Sequence, residues 1–144
     1  MGLEQPDAGL AAVRALAFGA RVVERSLGDM TLPQFRVLTL IASSPERASR
    51  VAEKAAVSRP SLTGLLDGLE AKGWVRRTGV DGDRRGVSLE VTADGRAALQ
   101  AAERATTERL DHVLADVAAE ERQAVLDGLT ALGRALPNQR AAAR

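Results

Sequence analysis

The sequence predicts a mainly α-helical chain carrying one small β-hairpin. Three observations lead there. Apolar residues recur at spacings of three and four along most of the chain, the period of a helix with one buried face. Two strand-like runs, Trp74-Val-Arg-Arg-Thr-Gly-Val80 and Val87-Ser-Leu-Glu-Val-Thr92, flank a glycine-punctuated charged tip, Asp81-Gly-Asp-Arg-Arg-Gly86. Between these regimes lies VSRPSLTGLLDGLEAKGW, Val57 to Trp74, a well-delimited helix with one apolar face and one short polar face.

Ala8 to Leu27 reads as the first helix, with Val13, Leu16, Ala20, Val23 and Leu27 in its stripe and Phe18 off it, needing a second packing partner. Gly28-Asp29 ends it. Thr31 opens the next helix with Gln34 three residues later, a capping-box pattern, and Pro33 in the first turn. Phe35, Val37, Leu38, Leu40 and Ile41 make that helix apolar nearly all round, as the centre of a small domain requires; Ser43-Ser44-Pro45 stops it. Residues 48–56 form a short helix with Val51, Ala52 and Ala55 inward. Ala56 stands at the turn that follows; alanine tolerates a positive φ less well than glycine, so a slightly different turn is expected.

Ser58 caps the key helix and Pro60 suits its first turn. Leu62, Leu65, Leu66 and Leu69 form its stripe; Arg59, Ser61, Thr63, Gly64 and Asp67 form the opposite face. Gly73 after Lys72 is a stop signal, with a cation at the negative end of the helix dipole. Two short helices joined by a tight turn make a helix-turn-helix, and a basic hairpin after it makes a winged helix. Thr92 then caps a long helix to about Val117, in which Gly95 costs about 1 kcal/mol relative to alanine. A break near Ala118 leads to a last helix from Glu120 to Leu136, ended by Pro137 and followed by a frayed tail.

Composition excludes several function classes. The chain has 144 residues, one domain's worth, and no cysteine, so disulfides, thiolate metal sites and cysteine redox sensing are out. No apolar run is long enough to span a membrane and the N-terminal residues do not resemble a secretory signal; a cytoplasmic location is expected. The one histidine, His112, has no nucleophile motif near it, no glycine loop has phosphate-cradling spacing, and neither enzyme activity nor a cofactor is expected. Net charge is only +1, but it divides as −1 over residues 1–30, +3 over 31–92 and −1 over 93–144. The excess of cations falls on the winged helix.

TLPQFRVLTLI, VSRPSLTGLLDGLEAKGWVRR and DGDRRGVSLEVT stand in the order and spacing of three elements of one family. From Thr31 to Thr92 the chain resembles the MarR family of bacterial transcription regulators, and its flanks match that architecture. The resemblance implies a winged helix-turn-helix DNA-binding domain at 31–92, with dimerisation helices at 1–30 and 93–144. It implies a homodimer that binds pseudo-palindromic double-stranded DNA, most often as a repressor. By the same resemblance Arg59, Pro60, Ser61 and Thr63 enter the major groove, with Gly64 beside them where a longer polar residue is usual. In the wing, Asp83 braces Arg85 toward the minor groove and Arg84 lies near phosphates. A narrow minor groove concentrates negative potential, which suits arginine. Many members are released by a small lipophilic or phenolic effector. Two other readings stay open on sequence alone: an effector-independent DNA-binding protein, and a winged-helix protein-interaction module.

Overall fold

The computed structural model describes residues 7–43, 46–80 and 83–142. Helix α1 spans Ala8–Ser26, and the Asp7 carboxylate accepts from Gly9 N at 3.0 Å to cap it. Gly28, at φ 60°, turns the chain. Helix α2, Leu32–Ser43, starts with the reciprocal bonds its sequence promised. Gln34 N donates to Thr31 Oγ1 at 3.3 Å, and Thr31 N donates to Gln34 Oε1 at 3.1 Å.

A short strand not anticipated from sequence follows: β1, Glu46–Arg47, which leads directly into α3, Ala48–Ala55. A pair of residues has too few positions to show a period. Ala56 was expected to alter the turn; instead it adopts the left-handed conformation itself, at φ 54° and ψ 42°. The reason is the hydrogen bonding it completes. Ala56 N donates to Glu53 O and Val57 N to Ala52 O, each at 3.2 Å, the pairing of a Schellman motif. A left-handed alanine costs roughly 1–2 kcal/mol, part of which glycine would return in unfolded-state entropy. Ala56→Gly is therefore expected to stabilise the protein by about 1 kcal/mol, raising the melting midpoint by about 2–4 °C. A lower midpoint in a thermal melt contradicts this account of the turn.

Helix α4, Arg59–Ala71, ends in the same motif, here with glycine: Gly73 sits at φ 71°, Gly73 N donates to Glu70 O at 2.8 Å and Trp74 N to Leu69 O at 2.9 Å. Strands β2, Val75–Val80, and β3, Asp83–Val91, pair antiparallel, and β1 joins the free edge of β3, so the sheet order is β1-β3-β2. The tip expected at Asp81–Gly86 is shorter than the charge pattern suggested, because β3 already begins at Asp83. Gly79 pairs with Val87 while Val80 pairs with Asp83, so Arg84, Arg85 and Gly86 form a bulge on β3. Asp81 and Gly82 lie outside the described residues.

Helix α5 runs Ala93–Leu114, slightly shorter than expected, with Thr92 Oγ1 accepting from Gly95 N at 3.0 Å. Helix α6 runs Ala119–Ala142, so Pro137 does not end it. Proline keeps a helical φ; its cost is one lost N–H bond and crowding of the carbonyl four residues back.

The core lies in the winged part. Leu38, Leu69, Leu89, Val37 and Val51 are its most deeply buried side chains, joined by Val75 and Val91 from the strands. Leu27 and Met30 from the turn after α1, and Leu99 and Ala102 from α5, complete it. By contrast Leu10, Val13, Leu16 and Phe18 of α1, and Val125, Leu129, Leu132 and Leu136 of α6, are exposed; Phe18 reaches 74%.

Candidate nucleic-acid interface

Three leucines decide which face of α4 is free. Leu62, Leu66 and Leu69 are buried, with Leu65 partly so, which turns Arg59, Pro60, Ser61, Thr63 and Gly64 outward; all five are exposed. The first turn is rigid because Ser58 serves it twice. Its hydroxyl oxygen accepts from Ser61 N at 3.2 Å, and it donates to Ser61 Oγ at 2.8 Å. Thr63 Oγ1 donates to Arg59 O at 3.0 Å, so its proton is committed within the helix. What Thr63 offers outward is a methyl group and the remaining acceptor capacity of its oxygen. Around Gly64 no atom lies within 4 Å of where a Cβ would stand, so this face is open.

The hairpin is attached to α4 through Arg77. Its guanidinium pairs with Asp67 and places Nε 3.0 Å from Glu70 Oε2, while Glu70 Oε1 accepts from Arg77 N at 3.3 Å. Arg76, pointing to the other side of the strand, pairs with Glu90 on β3 at 2.9 Å. The alternation of a strand separates the two. Asp83, Arg84 and Arg85 open β3 beyond these pairs; their side chains lie outside the described residues.

A MarR family model matches residues 28–86. The HTH-type transcriptional regulator YfiV of Bacillus subtilis is 37% identical over 111 residues, which make up 76% of this chain and 69% of that protein. The chain belongs to the MarR family. Solved structures that share its fold include two with a bound partner. The transcriptional repressor CouR, bound to a 23-mer DNA duplex, is 28% identical with a TM-score of 0.75, over 88% of this chain and 92% of CouR. A MarR family protein of Mycobacterium tuberculosis in complex with salicylic acid is 26% identical with a TM-score of 0.71, over 90% and 98% of the two chains. The protein is accordingly a transcriptional regulator of the winged helix-turn-helix type, not an enzyme.

Membership of the MarR family frames what sequence reasoning missed. Arg77, a cation at the base of the hairpin, is spent on two carboxylates of α4. The signal was present: Asp67 and Glu70 lie three apart on one face, just before the strand that carries the arginine. Between α1 and α5 there is also a half-open cavity of about 350 Å³ lined by Phe18, Arg21, Val22, Arg25 and Arg109. Residues so far apart in sequence carry no joint motif. His112 is exposed and turned back on its own helix, its Nδ1 2.7 Å from Glu108 O. No helix among the described residues is long and apolar enough to cross a membrane.

Proposed function

We propose that this MarR-family regulator is a homodimeric repressor that reads a two-fold symmetric operator and is released by a small aromatic acid or phenol. The observation that carries the reading is the face of α4. Its leucines are buried, and its short N-terminal side chains stand clear of the core on a capped, rigid first turn. A helix so presented fits the major groove with its N-terminal residues against base edges. In this reading Arg59, Pro60, Ser61, Thr63 and Gly64 face the groove. Arg85 enters the flanking minor groove, braced by Asp83, and Arg84 meets phosphates. The terminal segments 1–30 and 93–144 supply the dimer contact, supported by the exposed apolar residues of α1 and α6. Two such helices place the half-sites about 34 Å apart.

CouR's complex with DNA supports the partner, and the salicylic acid complex of the M. tuberculosis relative supports the effector class. On this chain three arginines beside Phe18 and Val22 give the α1–α5 cavity the chemistry for an anionic ring.

A salt titration of operator affinity tests the division of labour. Arg85→Ala is expected to weaken binding at all sites, most at A/T-rich flanks, and to reduce the log–log salt slope by about 0.9 for each cation withdrawn from the DNA. Asp83→Ala is expected to weaken binding too, because the freed arginine must be ordered on the DNA. Charge counting predicts the opposite sign. Thr63→Ala is expected to relax one base pair per half-site by about 1–3 kcal/mol with the slope unchanged. Tighter binding by Asp83→Ala, or wild-type behaviour of Arg85→Ala, rules out the wing assignment.

A further inference from the structure

We propose that Lys72 is a positioning residue that clamps the C-terminal end of the recognition helix to the turn ending α1, and so sets the spacing of half-sites the dimer accepts. This rests on the dimeric DNA-binding reading above. Lys72 follows the last residue of α4, fourteen positions from the Ser58 cap. At 1.5 Å per residue that is about 20 Å, too far to join the contacts made by the first turn. Its ammonium group is instead held from three sides. It donates to Asp29 O, donates to Gln34 Oε1 at 3.3 Å, and stands 4.6 Å from the centre of the Trp74 ring.

Each partner is itself fixed. Asp29 lies in the tight turn between buried Leu27 and Met30, next to left-handed Gly28. Gln34 is 8% exposed, and its Oε1 is already engaged by Thr31 N. Its Nε2 packs so closely on Gly68 of α4 that a Cβ there would come within 3.0 Å. Trp74 is pinned through its backbone to Leu69 and Thr92. The ammonium therefore joins the end of α1, the start of α2 and the end of α4 at one point. The exposed apolar residues of α1 lie on the helix that this turn terminates. If α1 sets the frame of the dimer, Lys72 sets the angle of the reading helix within that frame.

The experiment uses a duplex that the wild-type chain selects from a random library, and the same duplex with one base pair added or removed between half-sites. One base pair turns the half-sites by about 34° relative to each other, so a firmly held pair of helices discriminates and a loosened pair does so less. Lys72→Met is expected to lower the ratio of affinities, selected over altered spacing, by at least about threefold, because its reading helix is less firmly held. Its salt slope should match wild type, Lys72→Arg should restore the ratio, and the emission of Trp74, the chain's one tryptophan, should change in Lys72→Met. Lys72→Gln replaces the methionine variant if that protein does not melt cooperatively. An unchanged ratio overturns the proposal, as does a slope reduced by about 0.9 per subunit, which marks Lys72 as a phosphate contact. Wild-type protein that ignores spacing overturns the two-fold operator reading and the clamp's role with it; discrimination kept equally by wild type and Lys72→Met defeats the clamp alone.

Discussion

Gly95→Ala is expected to destabilise the protein by about 3 kcal/mol or more, the upper range for overpacking. Helix propensity alone predicts a gain of about 1 kcal/mol for the same change, so the two arguments differ in sign. The structure decides between them. A Cβ at Gly95 would stand 2.0 Å from Trp74 O, 2.8 Å from Trp74 C and 2.9 Å from Val91 Cγ1. None of this can yield cheaply, because the neighbouring backbone is stitched in place. Trp74 O accepts from Thr92 N at 3.0 Å, Thr92 Oγ1 donates to Gly73 O at 2.6 Å, and Trp74 N is held by Leu69 O. Thermal melting should show a midpoint lowered by about 6–12 °C. Gly64→Ala, on the same physical scale but in open space, should raise stability by about 1 kcal/mol. Two helical glycines thus move in opposite directions, and a Gly95→Ala protein more stable than wild type would refute the close approach.

Leu129→Glu is expected to break the proposed dimer. Leu129 is 43% exposed in the single chain, and at an ordinary surface position such a change stays within about 0.5 kcal/mol. At a two-fold interface each substitution counts twice, taking an apolar side chain from both subunits and burying an unpaired carboxylate in each. A loss of about 4 kcal/mol, roughly a thousandfold in dissociation constant, is the expected scale. Sedimentation at micromolar concentration should show the wild type as a dimer and the variant as monomer or aggregate. An unchanged dimer would remove α6 from the interface.

Much of the fold was legible because its signals are local. Thr31 and Gln34, Ser58 and Ser61, and Thr92 and Gly95 each lie three residues apart, and all three caps form as the sequence suggested. A cap needs only its own turn, so chain connectivity specifies it. The same holds for the buried stripe Leu62, Leu66 and Leu69, and with it for the outward face of Arg59, Pro60, Ser61, Thr63 and Gly64. Local cues failed where a different balance won. Ala56 takes a left-handed backbone because two hydrogen bonds complete the motif there, and α6 continues through Pro137 to Ala142.

Sequence by itself determined the helix limits near their caps, the outward face of α4 and the presence of a hairpin, all features with periods or spacings under a few residues. Tertiary structure alone decided the partners. Arg77 meets Asp67 and Glu70 only once β2 folds back along α4. β1 exists only because Glu46 and Arg47 come to lie beside Leu89 and Ser88. Gly95, in sequence a small penalty within a helix, has no room for a Cβ because the end of α4 and the start of α5 meet at backbone contact distance. Lys72, in sequence a cation suited to a helix C-terminus, is drawn to the carbonyl of Asp29, 43 residues away. Contacts of that range depend on where the packed core brings segments together, and no spacing along the chain records it.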